Sequence, residues 1–383
     1  MARFVFTVLG AGMQGTCAAY DLAMRGADEV RLVDFDLAQA ERSAARVRGL
    51  VGGVKITAMQ ADASKPETLK AALDGCSALL SAVPYFLNPP IAAACIEAGS
   101  GYCDLGGNTA VSGQVLAMDA AAKARGVALV PDCGLAPGLG NTLAPAALAR
   151  VPGATEVRVF CGGLAQDPVP PFGYHLVFAM EGLLNEYAGY ADALRNGERV
   201  RVPCLDEIAT VDFPGLGKLE AFATSGGTST CPDTFAGKLQ TYEYKTLRYP
   251  GHIQKFVAYR DAGLLSEEPI DVRGVKVKPR DVLATLLRPR LTRPQGRDLV
   301  ALMVEARGPD GAGRWVLLDR FDEKTGFSAM ERGTAYPAAV VAWMIAAGET
   351  DKGGVRLEVG VPPERFLEHL AARDLPLRWE TVA

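Results

Sequence analysis

The sequence has 383 residues and a formal net charge of −4, with 49% hydrophobic and 22% charged residues. That length predicts two domains rather than one ordinary core. The composition is that of a well-packed globular chain, and the lack of a basic excess argues against nucleic-acid binding. The longest apolar run, Pro337 to Ala347, falls short of the roughly 18 uncharged apolar residues a membrane helix needs, so no membrane association is expected.

The opening "MARFVFTVLGAG" is too briefly apolar for a signal peptide and runs into a glycine turn, so it reads as a first strand and a cytoplasmic location is expected. A helix follows from Met13 to Arg25, closed by Gly26. "EVRLVD" is the second strand, Leu37 to Arg48 the next helix and "KITAMQAD" the third strand. Pro66 to Leu73 is helical, "ALLSAVP" is a buried strand, and Pro90 to Ala98 is a helix. "GYCDLGG", a helix from Val111 to Arg125 and "VALVPDCG" complete the series. Strands alternating with helices predict βαβ units, hence a parallel sheet with helices on both faces.

The pattern changes after "GLAPGLGN". Thr142 to Ala149 reads as a helix, "EVRVFCGGL" as a strand, and "QDPVPPFG" as irregular chain. "YHLVFAM" reads as a strand, "EGLLNEYAGYADAL" as a helix, and "LEAFAT" and "YEYKTLRY" as strands. "DLVALMVEARG" and "RWVLLDRFD" flank "PDGAG" and predict a β-hairpin. "LLRPRLTRPQGRD" reads as a solvated linker broken by its prolines. "YPAAVVAWMIAAG" and "PPERFLEHLAAR" are helical, with Pro337 and Pro363 in first turns. The eight cysteines, Cys17, Cys76, Cys95, Cys103, Cys133, Cys161, Cys204 and Cys231, form no CxxC and stand at no metal-ligand spacing from a histidine. Buried thiols are expected, with no disulfide and no metal site.

Gly10-Ala11-Gly12-Met13-Gln14-Gly15 is a G-x-G-x-x-G placed directly after a strand and at the head of a helix, the context that marks a dinucleotide site. Gly10 permits the tight turn, Gly12 admits a pyrophosphate, and Gly15 lets helix and strand pack closely. Met13 and Gln14 sit at the helix N-terminus, whose free N–H groups favour an anion. Asp34 ends the second strand, where a carboxylate accepts both ribose hydroxyls and repels a 2′-phosphate, so NAD is expected over NADP. Asp36 suits a helix cap. Val83 and Pro84 follow the fourth strand and are expected near the adenosine or the nicotinamide ribose. Asp104, at the end of the fifth strand, either points into the site or anchors its loop. Leu135, Pro137 and Gly138 are expected to pack on the nicotinamide face or to form a hinge, two roles that are compatible.

A nicotinamide enzyme also needs groups that orient substrate and move a proton. "YEYKTLRYPGHIQKF" concentrates such groups. Arg248 can clamp a carboxylate through two parallel hydrogen bonds. Lys245 offers a point charge or, if desolvated, an acid/base group. His252 follows a Pro-Gly turn, where neighbouring cations would favour its neutral form. Period-two alternation puts Arg248 on one face of the strand and Lys245 on the other, so only a bulge would let both face one site. Glu181 and Glu220 are candidate partners for a substrate ammonium or are surface residues. His175 and His369 read as bystanders.

"VLGAGMQG", "YCDLGGNT", "PDCGLAPGLGN", "EGLLNEY", "FPGLGKLEAF", "KTLRYPGH" and "GTAYPAAVVA" occur in this order. Together they resemble the saccharopine dehydrogenase-like superfamily over nearly the whole chain, most closely its L-lysine 6-dehydrogenase branch. The resemblance implies an α/β protein with a Rossmann dinucleotide-binding domain and a mixed α/β substrate and dimerisation domain. The expected boundaries are 1–140 for the NAD-binding domain, 141–330 for the substrate domain, and 331–383 for C-terminal helices returning to the first. It also implies a homo-oligomer, a dimer or a multiple of dimers, that oxidises the terminal amine of lysine with NAD to the semialdehyde, which cyclises. Catalytic roles would fall to Lys245, His252, Arg248, Glu181 and Asp104. The alternatives are an opine-type reductase of the saccharopine or carboxynorspermidine kind and a non-catalytic NAD-binding protein.

Overall fold

The computed structural model describes residues 3–293 and 296–382. Its first part builds one sheet from β1 (Val5–Leu9), β2 (Glu29–Asp34), β3 (Lys55–Gln60), β4 (Ala78–Ser81), β5 (Gly101–Asp104) and β6 (Ala128–Val130). Between them run α1 (Met13–Met24), α2 (Leu37–Leu50), α3 (Lys70–Leu73), α4 (Asn88–Ala98), α5 (Thr109–Leu116) and α6 (Asp119–Arg125). The strands pair in parallel in the order β3-β2-β1-β4-β5-β6. Every residue of β1, β4, β5 and β6 is buried, which is why these segments read as continuous apolar runs. The chain leaves β1 toward β2 and returns to β1's other side as β4, so a crevice opens beyond the carboxyl ends of β1 and β4. The helix expected over Val111–Arg125 is two helices, with Leu116 ending the first and Asp119 opening the second.

The rest begins with α7 (Leu139–Arg150), β7 (Glu156–Ala165), α8 (Met180–Glu186), β8 (Tyr190–Arg195), β9 (Glu198–Pro203), β10 (Ala209–Phe213) and β11 (Gly217–Ala223). It continues with α9 (Cys231–Phe235), β12 (Thr241–Arg248), α10 (Ile253–Asp261), β13 (Ile270–Val272), β14 (Val275–Val277) and α11 (Pro279–Leu291). Last come β15 (Asp298–Gly308), β16 (Gly311–Arg320), α12 (Ala329–Ala347), β17 (Gly353–Gly354), α13 (Leu357–Gly360), α14 (Pro363–Ala371) and β18 (Leu377–Val382). The second sheet runs β10-β11-β12-β7-β15-β16-β18, with β8 also paired to β12 and β9 paired to β8. β12 and β7 are parallel, and their neighbours antiparallel. The β15–β16 hairpin closes with Gly308 opposite Gly311.

Several expected elements differ. "YHLVFAM" is irregular up to Ala179, because Tyr174, Leu176 and Phe178 pack one by one into the cluster around α8, α10 and α11 instead of joining a ladder. The helix expected from Glu181 to Leu194 ends at Glu186, and its second half is β8, which pairs with β9 and β12. Much of the expected linker is the last two turns of α11, where Leu287 and Leu291 are buried and Pro289 is accommodated; its Pro294 and Gln295 lie outside the described residues. Pro337 stands inside α12, which the Ser328–Glu331 capping box starts at Ala329, seven residues earlier in the chain than expected.

α12 is buried on nearly all sides and packs on α1, β4 and β5. Arg373, just after α14, ties back to α1 by a buried bidentate contact with Asp21. β17 adds to the first sheet beside β6, but β18 joins the second sheet, Trp379 opposite Trp315 on β16. The chain end is thus shared between the sheets rather than returned wholly to the first.

Candidate functional site

The glycine loop joins β1 to α1. Gly10 has φ +97°, and a Cβ there would stand 2.7 Å from the Ala82 carbonyl oxygen and 3.1 Å from Val83 Cγ1. A Cβ on Gly15 would stand 1.8 Å from the Gly10 carbonyl, so helix and strand touch only because both side chains are missing. At Gly12 a Cβ would meet no atom within 4 Å, and no side chain caps the helix that Gly12 begins. That is an open cradle of unpaired N–H groups, and it fits the pyrophosphate of a dinucleotide. Met13 is exposed beside it. Gln14 reaches the Met330 carbonyl through Nε2 at 3.4 Å and leaves Oε1 buried without a partner. Asp34 accepts from the Ala11 and Asp36 amides at 2.8 and 3.0 Å, so the loop itself fixes its carboxylate at the crevice. Asp36 caps α2. Val83 is half-buried and Pro84 exposed on the crevice's other wall.

On the second sheet, β12 keeps an unbroken register with β7 and β11, so no bulge occurs. Tyr242, Tyr244, Thr246 and Arg248 therefore share one face. Arg248 is 2% exposed. Its Nε donates to the Tyr187 hydroxyl at 2.9 Å, Nη1 donates to the Leu247 carbonyl at 2.9 Å, and the guanidinium lies 4.7 Å from the Tyr174 ring centre. His252 Nδ1 is 3.1 Å from the Phe172 carbonyl, which can only accept, so Nδ1 carries the proton. His252 Nε2 then accepts from the Tyr187 hydroxyl at 3.0 Å. Burial and the Arg248 charge hold His252 down to about 3, so the ring is neutral. The array has one direction, Arg248 to Tyr187 to His252 to a backbone carbonyl, and it locks the guanidinium in place.

Facing Arg248 is Glu186, the last residue of α8. It is half-buried, and its carboxylate forms neither hydrogen bond nor ion pair among the described residues. Burial raises its pKa to about 7, and Arg248 pulls the other way. The Tyr174 hydroxyl is buried and has no hydrogen-bond partner among the described residues. A buried guanidinium, a carboxylate that influences it without touching it, and an unpartnered hydroxyl leave polar capacity in this cluster that its own side chains do not use. The set is continuous with the glycine loop: Gly163 on β7 abuts Met330 and Val177, and Met330 receives Gln14.

Residues 6–130 match the saccharopine dehydrogenase NADP binding domain, and residues 134–375 match the saccharopine dehydrogenase C-terminal domain. The chain belongs to the saccharopine dehydrogenase family. Similar curated proteins include the mitochondrial alpha-aminoadipic semialdehyde synthases of Rattus norvegicus, 27% identical over 216 residues, and of Bos taurus, 28% identical over 204. Those alignments cover 53% and 50% of this chain but 23% and 21% of the relatives, so the chain spans less than a quarter of their length. Apo saccharopine dehydrogenase (L-Glu forming) from Saccharomyces cerevisiae has the same fold, with a TM-score of 0.79 at 19% identity, over 99% of this chain and 100% of that one.

Within this saccharopine dehydrogenase fold, the residues expected at the site separate. Arg248 lies at the cluster. Lys245 lies on the opposite face of β12, donating to the Glu207 carbonyl at 2.9 Å within a network of Glu207, Glu243 and Arg195. Alternation decides this, and Lys245 is structural. Glu181 is exposed and pairs with Arg288 at 2.6 Å from the first turn of α8. Glu220 accepts from the Gly251 and Ile253 amides and fixes the turn that carries His252. His252 stands behind Tyr187 as a positioning residue. Asp104 anchors its loop by accepting from Gly106 N, Asp132 N and the Tyr102 hydroxyl. Leu135 is 6% exposed and packs on Gly333, while Pro137 lies over Gly106, so both complete the junction between the sheets. Glu186 was overlooked although it lies in "EGLLNEY"; a second acid closing an apolar helix was the available signal. Among the described residues no cluster of His, Cys, Asp or Glu could hold a metal, and no helix is long and apolar enough to cross a membrane.

Proposed function

We propose that the protein is a nicotinamide-dependent dehydrogenase of an amine-bearing amino acid, that it oxidises L-lysine at the terminal amine, and that it uses NAD. The observation that supports this reading is the locked, buried Arg248, in a chain that also carries an open glycine cradle. Arg248 holds the substrate carboxylate with donors that the Tyr187–His252 array leaves free. Among the described residues Arg248 is the one guanidinium of this cluster, which suits an amino acid with one carboxylate better than the three-carboxylate saccharopine. Asp34 supports NAD, since a fixed carboxylate at the ribose repels a 2′-phosphate.

A bound nicotinamide supplies the hydride acceptor. The chain fixes one end of the substrate at Arg248, aims the amine-bearing carbon toward the crevice, and surrounds it with Val177, Met330 and the aromatic wall of Tyr174 and Tyr187. The resulting imine is hydrolysed by water to the aldehyde. The test is to incubate the purified protein with L-lysine and NAD at neutral to alkaline pH and follow reduced-cofactor absorbance. Turnover is expected. Cofactor consumption only when an amine and an oxo acid are supplied together with the reduced form would replace this reading with an opine-type reductase.

A further inference from the structure

We propose that Glu186 is the recognition and proton-accepting group for the substrate's amine. The inference rests on the amine-dehydrogenase reading above and assigns the half of the substrate that Arg248 does not hold. Glu186 closes α8 with its carboxylate free of hydrogen bonds and ion pairs among the described residues, whereas buried acids of the junction are engaged: Asp104 and Asp132 each accept two or more hydrogen bonds, and Glu358 accepts from Thr230 and Thr234. Arg248 is the charged side chain that acts on Glu186, while the Glu186 charge in turn raises the pKa values of Tyr244 on β12, Cys161 on β7, Cys204, Tyr174 and Tyr187. Burial holds those thiols and phenols in their neutral forms, so among the described residues Arg248 is the charge that acts on Glu186 at neutral pH, and the two form no ion pair. Two opposite charges that do not pair with each other suit a ligand with a carboxylate at one end and an ammonium at the other.

The step balances as follows. The substrate enters as R–CH2–NH3+ against the Glu186 carboxylate. One N–H proton passes to the carboxylate, giving R–CH2–NH2 and the neutral acid. The C–H bond then breaks with both electrons leaving as hydride to the oxidised nicotinamide, and the nitrogen lone pair forms the C=N bond of R–CH=NH2+. Water adds to that carbon and ammonium departs, leaving the aldehyde. A Glu186 pKa near 7 lets the carboxylate be charged above neutrality and still take up the proton.

The test is calorimetric binding of L-lysine and L-norleucine, which lacks the terminal amine, to the cofactor-free protein at pH 8, with Arg248→Gln and Glu186→Gln as variants. Wild type is expected to prefer lysine by at least about tenfold, the scale of one charge-assisted hydrogen bond. Glu186→Gln should bind norleucine unchanged and lose that preference. At pH 7 lysine binding should also release protons from wild type and none from Glu186→Gln, read by repeating the titration in buffers of different ionisation enthalpy. A Glu186→Gln protein that keeps the lysine preference overturns the proposal alone. Binding of norleucine through Arg248 with no amine preference in wild type does the same. Wild type that binds neither amino acid overturns the substrate reading and the proposal with it.

Discussion

His252 Nε2 lies 3.0 Å from the Tyr187 hydroxyl, and that hydroxyl in turn accepts from Arg248 Nε at 2.9 Å. Because Nδ1 is committed to the Phe172 carbonyl, the ring has a single tautomer to offer, and the tyrosine proton has a single place to go. His252→Phe keeps the stacking on Phe256 but strands the Tyr187 hydroxyl and frees the guanidinium to turn. Stability should fall by about 1–3 kcal/mol, and KM for the amino acid should rise about tenfold with a smaller change in kcat. The folded ring resists protonation to about 3 whereas an unfolded histidine titrates near 6.5, so the unfolded chain binds more protons between those values. Wild-type stability therefore falls as pH drops from about 6.5 toward 3, and the variant should lose that component of the slope. An unchanged KM would show that Arg248 needs no such support.

Lys245 and Arg248 stand three residues apart on one strand and face opposite ways, which makes them a paired control. Lys245→Met removes one cation from a network in which Arg195 already pairs with both Glu207 and Glu243. It should cost about 1 kcal/mol in urea unfolding and leave kcat/KM within about twofold. Arg248→Lys keeps the charge but loses the planar fork and its bond to Tyr187, and kcat/KM should fall about 100-fold. Equal losses in both variants would mean that β12 does not present a single face to the substrate.

The same strand marks what could be read from the sequence. Its alternation put Arg248 and Lys245 on different faces, but which face met a cleft depended on α8 and the Tyr174 segment, whose packing is not local. The first sheet was legible because strands buried on both faces are apolar throughout and because the glycine loop announces its own geometry. The acids were harder. Glu181 and Glu186 are five residues apart on one short helix, roughly 140° around its axis, and no local feature tells which of them turns inward. The Tyr174–Met180 segment alternates like a strand, yet its side chains fill a helical cluster separately and its backbone joins no ladder. α11 was hidden by Pro289, since a proline near a helix end costs less than one at its centre.

Asp34 allows a direct test of cofactor choice. Two backbone amides hold its carboxylate at the edge of the crevice, so it cannot swing away from a 2′-phosphate. Wild type should favour NAD over NADP in kcat/KM by at least about tenfold, and Asp34→Ser should raise KM for NAD and narrow that ratio by a similar factor. A wild-type preference for NADP would overturn the assignment.

Asp132 joins the two halves of the molecule. Its carboxylate accepts from Ser112 of α5 at 2.8 Å and from Ser229, in the loop before α9, at 2.5 Å, while its backbone amide donates to Asp104 at 3.0 Å. Burial, and then the charge of Asp104, raise it to about 7. A carboxyl whose folded pKa lies above its unfolded value of 3.8 binds more protons in the folded state between those values. Its stabilising contribution is complete below about pH 3.8 and is lost as pH rises to about 7. Asp132→Asn preserves the shape and lets the two serines reorient their hydroxyls around an amide that never ionises. At pH 8 the variant should therefore be more stable than wild type, by about 1–3 kcal/mol in urea unfolding. That advantage should shrink toward zero by about pH 4, with a residual slope from Asp104, which burial shifts in the same direction. An Asn variant that is less stable at pH 8 would show instead that the serines hold an ionised carboxylate, and that the junction between the sheets is strengthened by that charge.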